Sequence, residues 1–183
     1  MATTYIALLR GVNVGGNTLS MERLRGLCAE LGLRNARTYV QSGNLVFQAE
    51  GTVGRWSEAL EQALAGKSRL PVRVLVRTGA EIAAVVARNP FLRETRVDPA
   101  RLYVTFLSGL PAKSALAALG KVNAGPDRLS HAGREVYLHC PTGYGRSKLA
   151  NNVLEKALGV AATTRNWRTV TTLAAMATTP GAV

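Results

Sequence analysis

The sequence predicts an α+β protein in which one pattern, β-α-β-β-α-β plus a helix, runs twice along the chain. Three observations carry this. Short runs rich in β-formers alternate with stretches whose apolar residues recur every three or four positions. Glycine, asparagine and proline gather in the intervals between them. The order of segments after Arg101 repeats the order before Asn89.

The first strand is expected over Thr3 to Leu9, followed by a glycine- and asparagine-rich loop, Gly11 to Thr18. A helix follows from about Met21 to Leu31, its apolar face carrying Met21, Leu24, Cys28 and Leu31. Two short strands within Arg37 to Gln48 flank Gln41-Ser42-Gly43-Asn44, a compact hairpin signal. Val53, Trp56, Leu60, Ala63 and Leu64 mark one face of a second helix, Val72 to Val76 is a further strand, and Ile82, Val85 and Val86 lie on a helix that Pro90 stops. In the second run the strand is Leu102 to Leu107, followed by a helix near Ala112 to Leu119 and a hairpin about Ala132-Gly133. Helices are then expected over Ser147 to Leu158 and Asn166 to Ala177, with Ala161 to Thr164 the sole candidate for a fourth strand. This order is the split βαβ, ferredoxin-like arrangement. Two tandem ferredoxin-like subdomains forming one compact unit are therefore expected: residues 1–90, a linker over 91–100, residues 101–177, and a flexible tail over 178–183.

At 183 residues the chain is long enough to bury a substantial core without covalent staples. Its two cysteines, Cys28 and Cys140, read as free thiols. Met1 to Arg10 reads as a strand and not as a secretion signal, and no apolar run approaches the roughly 20 residues of a membrane span. A cytoplasmic location and no membrane partner are expected.

The net charge of +12 is uneven: +2 over residues 1–50, +3 over 51–100 and +7 over 101–183. A field of that sign favours anionic partners. Arginine supplies 18 of the 23 basic residues in a chain rich in alanine, glycine and valine, and such usage also follows from composition and solubility alone.

Gly11 to Thr18 sits between a strand and a helix, where backbone amides can cradle an anion. The spacing Gly11 to Gly16 is that of a P-loop, but Asn17 stands where that motif needs lysine, which argues against triphosphate hydrolysis by that route. The glycines serve either an anion nest or a tight turn. Gly143 to Asn152 is a second glycine loop opening a helix, with Ser147 placed as N-cap and Arg146 and Lys148 at the positive helix end. Asn166 is the expected cap of the last helix, flanked by Arg165 and Arg168. Basic residues gathered at two helix starts fit a bound anion; they equally fit pairing with Glu155 or exposure to solvent. Tyr103, Tyr137 and His139 are expected on one sheet face, which resembles a base-stacking platform, although the RNA-recognition signature itself is missing. His131 and His139 lack metal-ligand spacing, no G-x-S-x-G elbow occurs, and 11 carboxylates leave few for acid/base pairs. No metal and no cofactor are expected.

The motifs Ala7-Leu-Leu-Arg-Gly-Val-Asn-Val-Gly-Gly16, Thr38-Tyr-Val-Gln-Ser-Gly-Asn44, Gly143-Tyr-Gly-Arg-Ser-Lys-Leu149 and Ala162-Thr-Thr-Arg-Asn-Trp167, taken in this order, resemble bacterial domain-of-unknown-function family 1697. The resemblance covers essentially the whole chain. It implies a two-subdomain α/β fold and brings no activity, cofactor or catalytic residue.

The loops that chemistry singles out are those that carry the resemblance. They are expected to form one polar cleft from Arg10, Asn13, Gly15, Gly16, Gln41, Ser42, Asn44, Tyr144, Lys148, Arg165 and Asn166, rich in donors and suited to an anion. The expected function is binding of a nucleotide, phosphorylated metabolite or RNA. One alternative is a metal-independent, transferase-like enzyme in which Lys148 or Arg165 stabilises developing negative charge. The other is a structural homodimer formed through tyrosine-bearing sheet faces.

Overall fold

The computed structural model describes residues 2–12, 19–40, 43–68 and 72–179. Asn13, Gly15, Gly16, Gln41 and Ser42 of the expected cleft, and the tail beyond residue 179, lie outside the described residues. The chain divides into two compact units, Met1–Ala84 with Thr172–Val183, and Val85–Thr171.

In the first unit the elements are β1 (Thr3–Arg10), α1 (Met21–Glu30), β2 (Arg34–Tyr39), β3 (Asn44–Ala49), α2 (Val53–Ser68) and β4 (Arg73–Thr78). The helix α3 (Gly79–Ala87) follows. The sheet is antiparallel in the order β2-β3-β1-β4. β1 is central, which explains why Tyr5 to Leu9 are apolar without interruption and all buried: a strand covered on both faces has no polar phase. Residues Tyr5, Ala7 and Leu9 face the helices, packing with Leu24, Leu27 and Cys28 of α1 and Trp56, Leu60 and Leu64 of α2. α1 starts where the sequence places it because Ser20 Oγ accepts from the Arg23 amide at 3.1 Å. α3 starts on a capping box: Thr78 Oγ1 accepts from Glu81 N at 3.1 Å, and Glu81 Oε2 accepts from Thr78 N at 2.7 Å.

The second unit holds β5 (Leu102–Leu107), α4 (Lys113–Leu119), β6 (Arg128–Ala132), β7 (Glu135–His139), α5 (Asn151–Leu158) and β8 (Ala162–Asn166). Its sheet is antiparallel in the order β6-β7-β5-β8. The short Ala162–Asn166 segment is thus a full edge strand, paired along β5 from Leu107 to Tyr103. The last helix, α6 (Trp167–Thr178), begins on the expected cap, with Asn166 Oδ1 accepting from Thr169 N at 2.8 Å. Arg37 of β2 receives the far end of α6, donating from Nη2 to the carbonyls of Met176 at 2.5 Å and Thr179 at 3.0 Å. A cation on the last orphan carbonyls is favourable for a helix end. Helical order therefore extends through Thr178, the first residue of the expected tail.

The registers of the two sheets correspond. Tyr5 lies opposite Thr78 and Ile6 opposite Arg77, as Tyr103 lies opposite Asn166 and Val104 opposite Arg165. In both sheets the tyrosine faces the residue that caps the next helix, and the residue before that cap is a buried arginine.

Three details depart from the sequence expectations. α5 begins at Asn151 and not at Ser147, because Tyr144–Arg146 forms a separate 3-10 turn and the chain then runs extended through Ser147 and Ala150. Ser147 Oγ instead accepts from Leu149 N at 2.9 Å, and Arg146 and Lys148 are not on the first turn of α5. Second, Tyr103 and Tyr137 do not share a face: Tyr103 is opposite Leu138 and Val104 opposite Tyr137, so the two tyrosines point to opposite sides of the sheet. The expected stacking platform of Tyr103, Tyr137 and His139 does not form. Third, the segment joining α3 to β5 carries two 3-10 turns, Pro90–Arg93 and Pro99–Arg101, capped by Asn89 and Asp98. Each has proline first, where its missing N–H costs nothing.

Candidate functional site

The step from the third strand of a sheet to the next helix is made twice in this chain, and the two versions differ. In the first unit three residues, 50–52, join β3 to α2. In the second unit eleven residues, 140–150, join β7 to α5. The topology needs no more than the short connection, so the additional length is free to carry something else.

That loop is anchored rather than loose. Tyr144 Oη donates to Thr164 Oγ1 at 3.0 Å and lies 3.4 Å from Asn151 Oδ1. Thr164 Oγ1 donates to Asn151 Oδ1 at 2.6 Å, and Thr105 Oγ1 is 2.7 Å from Thr164 Oγ1. Because the Thr164 hydrogen is committed to Asn151, Thr105 is the donor in that last bond. The Tyr144 ring leans on Tyr103 with centroids 5.2 Å apart. Burial holds the Tyr144 phenol above its ordinary pKa, with the Thr164 hydrogen bond opposing. At its start the loop is fixed by Cys140 N donating to Arg101 O at 2.9 Å. Gly143 takes φ +90°, the backbone conformation that favours glycine, and a Cβ there would come within 3.2 Å of Arg101 Nη1, which would have to shift slightly.

Arg101, Arg146 and Lys148 are exposed, and among the described residues none of the three has a carboxylate within ion-pair distance. Three of the five acids of this unit are engaged elsewhere. Glu94 pairs with Arg128, Asp98 caps a turn, and Glu155 accepts from Ala162 N at 2.7 Å and not from a loop cation. Residues 85–171 contain 13 basic and 5 acidic side chains, a net of +8, against 10 and 6 in the other unit, a net of +4.

The expected site residues take different places. In the first unit Arg10 is half-buried at the end of β1 opposite Arg73, and Asn44 is fully buried, its Nδ2 donating to Tyr39 O at 3.0 Å. In the second unit Tyr144 and Lys148 belong to the loop, and Asn166 is exposed but serves as the α6 cap. Arg165 is 7% exposed and donates to Thr163 Oγ1 at 2.8 Å and Thr164 O at 3.0 Å. Burial lowers its pKa to about 10. It follows Thr164 along an edge strand and so points to the opposite face from Tyr144. Arg101, Thr105, Asn151 and Thr164 were missed by the sequence expectations. The signal for this loop is the unequal length of the two strand-to-helix connections, which the N-cap chemistry of Ser147 partly masks in the sequence.

Thiol chemistry is disfavoured. Cys28 and Cys140 are both fully buried, and burial pushes each thiol up to about 11. Both are thus protonated at neutral pH. A soluble maleimide should leave both unmodified in the native protein and label both in denaturant; rapid native labelling of Cys140 would show that the loop opens. Among the described residues no three His, Cys, Asp or Glu side chains group as metal ligands, and no helix is long and apolar enough to cross a membrane.

Residues 2–137 match the family described as "Protein of unknown function (DUF1697)". The chain belongs to the DUF1697 family. The match ends before the 140–150 loop. A solved structure, that of the conserved bacterial protein SP0830 from Streptococcus pneumoniae, resembles this DUF1697 chain with a TM-score of 0.79 at 23% identity, covering 97% of this chain and 99% of the other. At that identity the likeness speaks for the fold. No curated protein matches the chain.

Proposed function

We propose that this DUF1697 protein binds an anionic ligand, a nucleotide, phosphorylated metabolite or RNA, at the 140–150 loop. The observation that carries this is the eleven-residue connection where three suffice, with Arg146 and Lys148 on it and Arg101 against Gly143, all without carboxylate partners among the described residues. An exposed cation without a counter-ion raises the local positive potential, and an anion bound beside it is favoured by that field. The Tyr144 network holds the loop in place before the ligand arrives, which lowers the ordering cost of binding. Binding is favoured over the transferase reading because the nearest thiol is buried and protonated and the Tyr144 hydroxyl is committed to Thr164. Asn44 and Arg165 act inside the fold in this account, and the ligand contacts fall to Lys148, Arg146 and Arg101.

The corresponding strand orders and registers support reading the chain as two ferredoxin-like copies of one unit, about residues 1–90 and 101–177. On that reading the loop is an addition specific to the second copy.

Thermal shift against inorganic phosphate, a nucleotide panel and short single-stranded RNA tests the proposal. A ligand at about 100 times its dissociation constant should stabilise the protein by about 2.7 kcal/mol. The effect should vanish in the Arg146→Ala, Lys148→Ala double variant and persist in Arg73→Ala, whose cation pairs with Glu61 in the other unit. Absence of any shift, or a shift indifferent to the loop variant, overturns the proposal. A steep fall with added salt identifies RNA as the ligand.

A further inference from the structure

The segment joining α3 to β5 is held to the β6–β7 edge by a cluster separate from the loop network. Arg128 of β6 donates to both oxygens of Glu94, at 3.2 and 2.8 Å. Its guanidinium carbon lies 5.1 Å from the centroid of the Phe91 ring, which also meets the His139 imidazole at 6.0 Å. Arg128 Nη2 is 3.1 Å from His139 Nδ1. A guanidinium only donates, so this last contact is a hydrogen bond only when Nδ1 is bare, with the imidazole neutral and its proton on Nε2.

We propose that His139 is a pH-responsive latch on the joining segment: neutral, it holds Arg128 on Glu94; protonated, it opposes Arg128 and competes for the same carboxylate. Protonation replaces an N–H···N bond with two cations in contact. The groups facing the imidazole are Arg128 from β6, Glu94 and Asp98 from the joining segment, and Asp127 just before β6. Glu94, Asp127 and Asp98 favour the imidazolium electrostatically, against burial and Arg128. The segment so released carries Arg101 at its end, whose carbonyl receives the Cys140 amide at the root of the long loop.

Burial and the Arg128 charge hold the His139 imidazole below its ordinary value of 6.5. A base with a lowered folded pKa contributes stability in full above the unfolded value and loses it as pH falls through the folded one. The latch is therefore closed at neutral pH and opens as pH falls through the lowered folded value.

Amide hydrogen exchange on the full chain tests this without any ligand. The reporters are the amides of Glu94, Val97, Arg101 and Cys140, which bond to Phe91 O, Glu94 O, Asp98 O and Arg101 O. After correction for intrinsic exchange, their opening equilibrium should rise severalfold between about pH 7.5 and about pH 5.5, and His139→Gln should be flat over that range. Nitrogen NMR of wild-type His139 at neutral pH should show the Nε2–H tautomer. An unresponsive wild type, an equal response in His139→Gln, or an Nδ1–H tautomer overturns the proposal.

Discussion

Thr164→Val is expected to destabilise the protein by about 2 kcal/mol, although the two side chains have nearly the same shape. The hydroxyl of Thr164 is the hub of the loop network, bonded to Thr105, Tyr144 and Asn151. Its removal strands the hydroxyl of Thr105, which is fully buried and has nowhere to turn. A buried donor left without an acceptor costs about 1–3 kcal/mol, more than the bond itself contributes. Tyr144 keeps only its 3.4 Å contact with Asn151. Adding Thr105→Val removes the stranded group, so the double variant should lose less than the sum of the singles, a coupling that denaturant midpoints of the four proteins measure. Strict additivity would show that the network does not act as a unit. The same variant should weaken ligand stabilisation while Arg146 and Lys148 remain, because the loop is then less ordered before binding.

Phe47→Ala should cost about 3–5 kcal/mol. Phe47 is fully buried on β3, stacked on Tyr5 at 5.5 Å and edge-on to Trp56 at 5.9 Å. It thereby joins the central strand to α2, and alanine leaves a cavity bounded by two rings that have no freedom to collapse into it. Phe47→Leu refills most of that space and should cost visibly less. Chemical denaturation followed by tryptophan fluorescence, from Trp56 and Trp167 together, separates the two, and a loss below about 1 kcal/mol for alanine would mean the aromatic cluster is not packed in solution.

Much of the fold was legible because local signals agreed with the final packing. The expected boundaries of β5 are those observed, and α1 begins on Ser20 as its pattern implies. Asn166 caps α6 because a short amide at a strand-to-helix step has few better uses. The fourth strand of the second sheet was weak in sequence because it is only five residues long, is rich in polar threonine and lies at an edge. Its neighbour β5 makes it a strand. The start of α5 departs from its sequence signal because Ser147 has the chemistry of an N-cap and spends it on Leu149 instead.

The candidate site was half legible. Tyr144, Arg146 and Lys148 stand out in a glycine-rich segment whichever way the chain folds. Arg101, Thr105 and Thr164 do not, since nothing in a strand or a turn marks which neighbour it will meet across a sheet. Arg165 stood out for its charge, and the pleat turned it to the face opposite Tyr144, where burial lowers its pKa.

By itself the sequence determined the order of strands and helices, the place of Cys28 on the apolar face of its helix and the excess of cations in the second half. Periodicity, capping and charge are properties of neighbours along the chain, and they need no partner to be read. Tertiary structure alone decided which threonines meet, which arginines are enclosed and which remain without a carboxylate. Those outcomes depend on strand register and on which face a side chain takes, and a shift of one residue reverses them all.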